Sequence, residues 1–192
     1  LAEIISPPSN VNDEGAKNIA QQGFNEKQRV TLTGILLVDG GFISQGTLVS
    51  SHMIFLNTAT SNFTGHKDVV WTFDDIILGV MSDSFGSLEV ASTGFLGIDR
   101  TQTLYPQNPT SGRGFDPTST FDSYTIIGST LKLSMGVTEP GDWIRVVTAA
   151  RPIPEPSSLL LMAVGLLGLS FKGRLKKSLD KDLVEVVQRF FP

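Results

Sequence analysis

The sequence predicts an all-β ectodomain, an antiparallel β-sandwich or jelly-roll-like fold, followed by a single C-terminal transmembrane helix and a short amphipathic tail. Three observations predict this. Seven short segments between residues 30 and 149 are rich in β-branched and aromatic residues, and Gly, Asn, Asp or Ser separates them. One uncharged apolar run occupies 157–171, and a basic cluster follows it at once. Many short strands divided by turns are typical of a sandwich.

The strand segments are predicted at 30–38, 47–56, 68–73, 76–81, 125–127, 130–135 and 143–149. Asp39-Gly40-Gly41 follows the first segment and predicts a hairpin turn. The stretch 94–122, rich in Gly, Pro, Ser and Thr, is predicted to be a long loop. Loops of this length are uncommon unless they are functional or disordered.

These elements divide the chain into five parts. They are an irregular N-terminal segment 1–28, a β-sandwich domain 29–150, an extended Pro-Glu-Pro motif 151–156, a transmembrane helix 157–171, and a basic cluster with a cytoplasmic tail 172–192.

Charge and composition exclude several classes of function. Residues 1–156 carry nine Lys and Arg against sixteen Asp and Glu, a net charge of −7, which disfavours binding to nucleic acid or anionic lipid. The chain has no cysteine, so disulfides, thiol catalysis and zinc–thiolate sites are excluded. The expected cofactor is none, with bound calcium kept as an alternative.

The C-terminal segments indicate a short membrane anchor. The run 157–171 would span about 22 Å as a helix at ~1.5 Å per residue, against a hydrocarbon core of ~30 Å. The basic residues behind it act as a stop signal and place that end in the cytoplasm by the positive-inside rule; they are Lys172, Arg174, Lys176 and Lys177. Pro154 and Pro156 keep the chain extended around Glu155, just outside the membrane.

This order of Pro154-Glu155-Pro156, apolar run and basic cluster resembles the PEP-CTERM sorting signal of exported bacterial proteins. The resemblance implies an exosortase-type membrane protease as partner. It also implies that the helix anchors the protein in the inner membrane before processing, and that the protein then reaches the cell surface or the extracellular space. An N-terminal signal peptide is expected to have been removed or to lie outside this sequence, which begins at Leu1.

The tail 178–192 departs from the family pattern, in which the chain stops soon after the basic cluster. Its apolar residues recur at helical spacing, which predicts an amphipathic helix. It would lie on the inner leaflet or contact a cytoplasmic protein, or it is an extension without a role.

Short landmarks elsewhere resemble a group of PEP-CTERM proteins without an assigned activity. The landmarks are at 23–28, 46–57, 77–81, 113–115 and 140–148. The resemblance implies an exported β-rich domain, and it brings no active site with it.

Catalysis is not predicted. His52 and His66 are the only histidines, and the sequence contains no nucleophile-elbow motif. His52 lies in a strand pattern and is expected to be a hydrogen-bonded structural histidine, whereas His66 is expected in a solvated turn. Asp74 and Asp75 are the candidates for a metal site, although Asp is also an ordinary turn residue.

Three classes of function follow. The first is a surface or matrix protein associated with exopolysaccharide, with no catalysis. The second is a carbohydrate-binding module, which would need exposed aromatic residues lining a groove; the candidates are Trp71, Tyr105, Tyr124 and Trp143, of which the two tryptophans are expected in the core. The third is a secreted hydrolase, which would need a cleft that gathers His52 with Asp or Glu. Arg113, between two glycines in the long loop, could meet a carboxylate or sugar acid, or be an ordinary surface arginine.

Overall fold

A computed structural model describes residues 2–11, 18–58, 62–99, 103–116, 118–138 and 141–152. Residues Leu1–Pro152 form one compact unit. The Pro-Glu-Pro motif, the apolar run, the basic cluster and the tail lie outside the described residues. In the part of the chain that is described, no helix is long and apolar enough to cross a membrane.

The described residues form a mostly β structure with one short helix. The strands are β1 (Ala2–Ile4), β2 (Gln21–Asn25), β3 (Val30–Thr31), β4 (Leu36–Val38), β5 (Gly41–Ile43), β6 (Leu48–Leu56), β7 (Thr64–Thr72), β8 (Ile77–Met81), β9 (Ser123–Ile127), β10 (Thr130–Val137) and β11 (Asp142–Ala149), and helix α1 spans Ser87–Leu96. The expected all-β character of the ectodomain is confirmed.

Two main sheets carry the fold. The larger sheet has the order β1-β2-β6-β11-β8, with β3 also paired to β6, and the smaller has the order β7-β10-β9. All these pairings are antiparallel except that of β1 with β2. Strands β4 and β5 form a separate hairpin.

The main core lies between the two sheets, because alternate residues of their strands pack into one apolar cluster. Ile54 and Ile144 enter it from the larger sheet, and Leu131 and Leu133 enter it from the smaller one. The opposite face of the larger sheet is buried as well. The β4–β5 hairpin and α1 cover part of it, and Tyr105 from the loop after α1 covers another part.

Several elements differ from the sequence predictions. The predicted strand 30–38 is split, because β3 pairs with β6 whereas β4 turns into its own hairpin with β5. The predicted turn at Asp39-Gly40-Gly41 joins β4 to β5, and Gly40 has a left-handed φ of 69°.

The segment 1–28, expected to be irregular, contributes β1 and β2 to the larger sheet. Strand β2 has the sequence Gln-Gln-Gly-Phe-Asn. It is largely buried, although its polar residues are not typical of a buried strand. The buried amide of Gln21 is hydrogen-bonded, since its Oε1 accepts the indole N–H of Trp71 at 2.9 Å. Helix α1 was not predicted, since Ser, Thr and Gly give it little intrinsic helix preference.

Candidate functional site

The described chain leads directly into the sorting segment. Strand β11 ends at Ala149, and two residues later the Arg151 Nε donates to Asp75 Oδ1 at 2.7 Å. One of the two metal candidates, Asp75, is therefore engaged in an ion pair. Over the described ranges, no group of three or more His, Asp or Glu side chains is placed to hold a metal ion.

His52, on β6, lies at one end of the space between the two sheets. Its Nδ1 is 2.7 Å from Asn25 Oδ1, and its Nε2 is 3.1 Å from Thr148 Oγ1. The ring also packs against Phe73, with the two centroids 4.7 Å apart. Because the amide oxygen of Asn25 can only accept, Nδ1 carries the proton and Nε2 accepts from the threonine hydroxyl. His52 is thus hydrogen-bonded on both sides, as the sequence analysis expected.

The imidazole of His52 is neutral at ordinary pH. Burial lowers its pKa from 6.5 to about 4, and the nearby carboxylates of Glu26 and Asp74 oppose this shift only in part. A neutral ring keeps one donor and one acceptor, which matches the two partners it has.

Two clefts flank His52, each with a volume of about 180 Å³. They share His52, Gln28 and Asp74 as lining residues. The first cleft adds aromatic and amide side chains, namely Phe24, Asn25, Trp71 and Phe73. The second adds charged and small polar groups; these are Arg29, Ser50, Asp75, Thr148 and Arg151. Together they form an open surface lined by both aromatic and hydrogen-bonding side chains.

The other histidine is placed differently from its prediction. His66 belongs to strand β7, where it pairs with Met135, and does not lie in a turn. The prediction was wrong because β7 begins earlier than 68–73, and its polar start, Thr-Gly-His-Lys, does not have the composition of a strand.

The four aromatic candidates do not form an exposed pair. Trp71, Tyr105 and Trp143 are buried, so the expectation that both tryptophans belong to the core is confirmed. Tyr124 is half-buried and donates its hydroxyl to Asp39 Oδ2 at 3.2 Å. Of the four, Trp71 alone lines the clefts beside His52.

Arg113 in the long loop is not an ordinary surface arginine. Its guanidinium carbon lies 4.7 Å from the centre of the Trp143 ring, a cation–π distance. Its backbone carbonyl also accepts the N–H of Trp143 at 2.9 Å. The arginine therefore fastens the loop to the larger sheet.

Sequence reasoning missed a buried ion pair on the opposite face of the larger sheet from His52. Arg145 of β11 donates from Nε and Nη2 to the two carboxylate oxygens of Glu26, at 2.7 and 2.8 Å. Its Nη1 donates to the Glu89 carbonyl and to Ser92 Oγ, both at 2.6 Å, and its Nη2 also reaches Thr93 Oγ1 at 3.1 Å. The only signal in the sequence was a lone arginine among the apolar residues of the β11 segment.

The comparison with known families finds a match in the C-terminal part of the chain. The family model of the PEP-CTERM protein-sorting motif matches residues 152–177. The match includes Pro154-Glu155-Pro156, the apolar run and the four basic residues behind it. Searches of curated proteins and of solved structures returned no match.

The chain carries a PEP-CTERM sorting motif, and the resemblance found in the sequence is confirmed. Because exosortase recognises such motifs, the motif implies export, processing at the membrane and delivery to the cell surface.

Proposed function

We propose that this protein is an exported surface or matrix protein that associates with exopolysaccharide through the clefts around His52 and performs no catalysis. The sorting motif supports the location. The composition of the clefts supports the ligand, and it is the observation on which this proposal depends. Calcium is not needed for it.

The clefts suit a neutral sugar chain. Phe73, which is half-buried beside the first cleft, offers apolar surface to the C–H face of a sugar ring, and Asn25, Gln28 and Asp74 offer donors and acceptors to hydroxyl groups. Open clefts of this kind admit the middle of a long chain, whereas an enclosed pocket would admit only an end. This proposal combines the exopolysaccharide-associated surface protein with the carbohydrate-binding alternative, and it assigns the sugar binding to the His52 clefts.

A binding experiment tests the proposal. The full chain in phospholipid nanodiscs, which carry no sugar, is titrated with exopolysaccharide from the producing bacterium. Asp74→Ala removes a hydrogen-bonding group and should weaken binding about ten-fold, the expected effect of losing a hydrogen bond to a charged group. Thr125→Ala, an exposed position on β9 of the smaller sheet, is the matched control and should bind normally. Equal binding by wild type and Asp74→Ala would contradict the assignment of the cleft.

A secreted hydrolase is the second candidate, and the hydrogen-bonded series Thr148–His52–Asn25 favours it. The order hydroxyl, imidazole, amide is that of a nucleophile, its base and an orienting group. Against it, Thr148 is only 2% exposed and lies within strand β11. Our proposal expects no new reducing ends when the protein is incubated with exopolysaccharide. If the protein does produce new reducing ends, and His52→Gln abolishes their production, the hydrolase would be established instead.

A further inference from the structure

A second cavity lies on the face of the larger sheet opposite to His52. Met53 and Trp143 point to this face, and α1 and the following loop close over it. The cavity is lined mainly by apolar and aromatic side chains, among them Phe85, Tyr105 and Trp143, with Glu89 and Thr93 from α1 and Arg113 from the loop. It belongs neither to the His52 clefts nor to the sorting segment.

Among the described residues, two buried side chains on this cavity, Glu89 and Trp143, have polar groups without a hydrogen-bond partner. Both carboxyl oxygens of Glu89 are unpartnered, although the residue is only 4% exposed. The indole Nε1 of Trp143, a residue 3% exposed, is also unpartnered. The other tryptophan shows the usual situation, since the Trp71 indole N–H bonds to Gln21. A buried group without a partner costs about 1–3 kcal/mol, so a folded protein retains two on one cavity only when something else satisfies them.

The chemistry of the missing partner follows from these two groups. An indole N–H can only donate, so the partner must accept. Burial raises the pKa of the Glu89 carboxyl well above its ordinary value, and the charge of Arg145 counteracts this only in part. The Glu89 carboxyl can accept a hydrogen bond whether or not it carries a proton. A hydroxyl group, which accepts one hydrogen bond and donates another, satisfies both residues.

The size and walls of the cavity agree with a hydroxyl on a carbon skeleton. The centre of a water molecule could occupy about 10 Å³ of this cavity. This volume holds about one oxygen atom. The walls of the cavity are largely apolar, which suits the carbon atoms next to the hydroxyl group of a ligand. Phe85, which is 53% exposed, lies at the rim and can pack against the carbons of a ligand outside.

We propose that this cavity binds one hydroxyl group of a neutral sugar or polyol, whose oxygen accepts from the Trp143 indole and hydrogen-bonds to Glu89. The body of the ligand then rests on Phe85. This site is separate from the His52 clefts, so the proposal stands or fails independently of them.

The two indole N–H signals of the protein make a direct test. The full chain, ¹⁵N-labelled in phospholipid nanodiscs, is titrated with glycerol and then with glucose, and Trp71→Phe assigns the signals. The Trp143 signal should shift downfield and saturate, because it gains a hydrogen bond. The Trp71 signal is the internal control and should stay in place, because its indole is already bonded.

Two substitutions of Glu89 complete the experiment. Glu89→Gln keeps a donor and an acceptor at this position and should retain binding within a few-fold. Glu89→Leu keeps the approximate volume without polar atoms and should weaken binding at least about ten-fold. An unchanged Trp71 signal shows that both variants are folded.

Three results would overturn the proposal. The first is that both indole signals move together and without saturation, which indicates a solvent effect. The second is that Glu89→Leu binds the probes as tightly as wild type. The third is that neither glycerol nor glucose moves the Trp143 signal, which would mean that the cavity holds water alone.

Discussion

Arg145 illustrates how a buried charge is accommodated at the scale of one residue. It is 0% exposed, and its guanidinium has five N–H donors. The five hydrogen bonds it makes to Glu26, Glu89, Ser92 and Thr93 account for all of them. The carboxylate of Glu26 is also well hydrogen-bonded, since Ser51 Oγ donates to its Oε2 at 2.6 Å in addition to the two bonds from Arg145. The network joins Glu26, which directly follows β2, together with β6 and α1, to strand β11.

Removing either partner of this ion pair should destabilise the protein strongly. Arg145→Met leaves the Glu26 carboxylate buried without its counter-charge, and a loss of about 3–5 kcal/mol in unfolding free energy is expected. Urea denaturation followed by circular dichroism measures it. The double variant Arg145→Met/Glu26→Met should lose less than the sum of the two single losses, because it leaves no unpaired charge. Additive losses would show that the pair is not coupled.

His52 makes the stability of the protein depend on pH. Its pKa is about 4 in the folded protein and about 6.5 in the unfolded chain. The unfolded chain therefore binds the extra proton first, and stability falls as the pH decreases from about 6.5 to about 4. The full difference corresponds to about 3 kcal/mol.

The comparison with a variant isolates this contribution. His52→Gln has no titrating ring, so the gap in unfolding free energy between it and wild type should change by roughly 3 kcal/mol between pH 7 and pH 4. Urea denaturation at several pH values measures the gap. A gap that is independent of pH would contradict the lowered pKa.

At the scale of elements, α1 is held by its surroundings rather than by its own sequence. Its buried side carries Glu89, Ser92 and Thr93 next to Leu96, so it faces the core with polar groups. Ser92 and Thr93 turn their hydroxyls to Arg145, and Asp83 accepts the N–H groups of Ser87 and Leu88 at the start of the helix.

Two glycines near this helix should respond in opposite ways to alanine. Gly94 is exposed in α1, and a Cβ there would meet nothing within 4 Å, so Gly94→Ala should stabilise the protein by about 0.5–1 kcal/mol. A Cβ at Gly114 would lie 2.0 Å from the backbone oxygen of Asp83, so Gly114→Ala should destabilise it. Thermal unfolding distinguishes the two, and a lower melting temperature for Gly94→Ala would contradict this account of the helix.

The elements that could be predicted are those whose own residues show a strand pattern. The predicted segments 47–56 and 143–149 became β6 and β11 nearly residue for residue. Helix α1 and strand β2 could not be found, because their buried polar residues are explained by distant partners, Arg145 for the helix and Trp71 for Gln21. The His52 clefts required the fold for the same reason, since β2, β6 and β11 supply one hydrogen-bonded residue or partner each.

At the scale of the whole molecule, the larger sheet is buried on both faces and the sorting motif follows β11, an interior strand of this sheet. The motif was predictable because its three parts are contiguous, whereas the binding surfaces combine residues far apart in the chain. The sequence therefore describes the destination of the protein more fully than its ligand.

Processing at the motif should depend on Glu155. Its carboxylate is the one charge between the two prolines, where a membrane protease can recognise it. Glu155→Ala should leave export intact and prevent release, so that full-length protein accumulates in the inner membrane. Mass spectrometry of the C-terminus, in hosts with and without exosortase, measures this. Release of the variant at the normal rate would contradict a sorting role for this residue.

The position of β11 has a consequence for the order of folding. This strand lies between β6 and β8, and it supplies Arg145 to the network around α1. It is also the last strand before the sorting motif begins at residue 152. Until Asp142–Ala149 arrives, β8 lacks its neighbour and Glu26 lacks its counter-charge, so the larger sheet cannot close from the N-terminal part alone. Such non-local pairing forms slowly. A chain delivered from its N-terminus therefore remains incompletely folded, and suited to passage through a membrane, until its last strand has emerged.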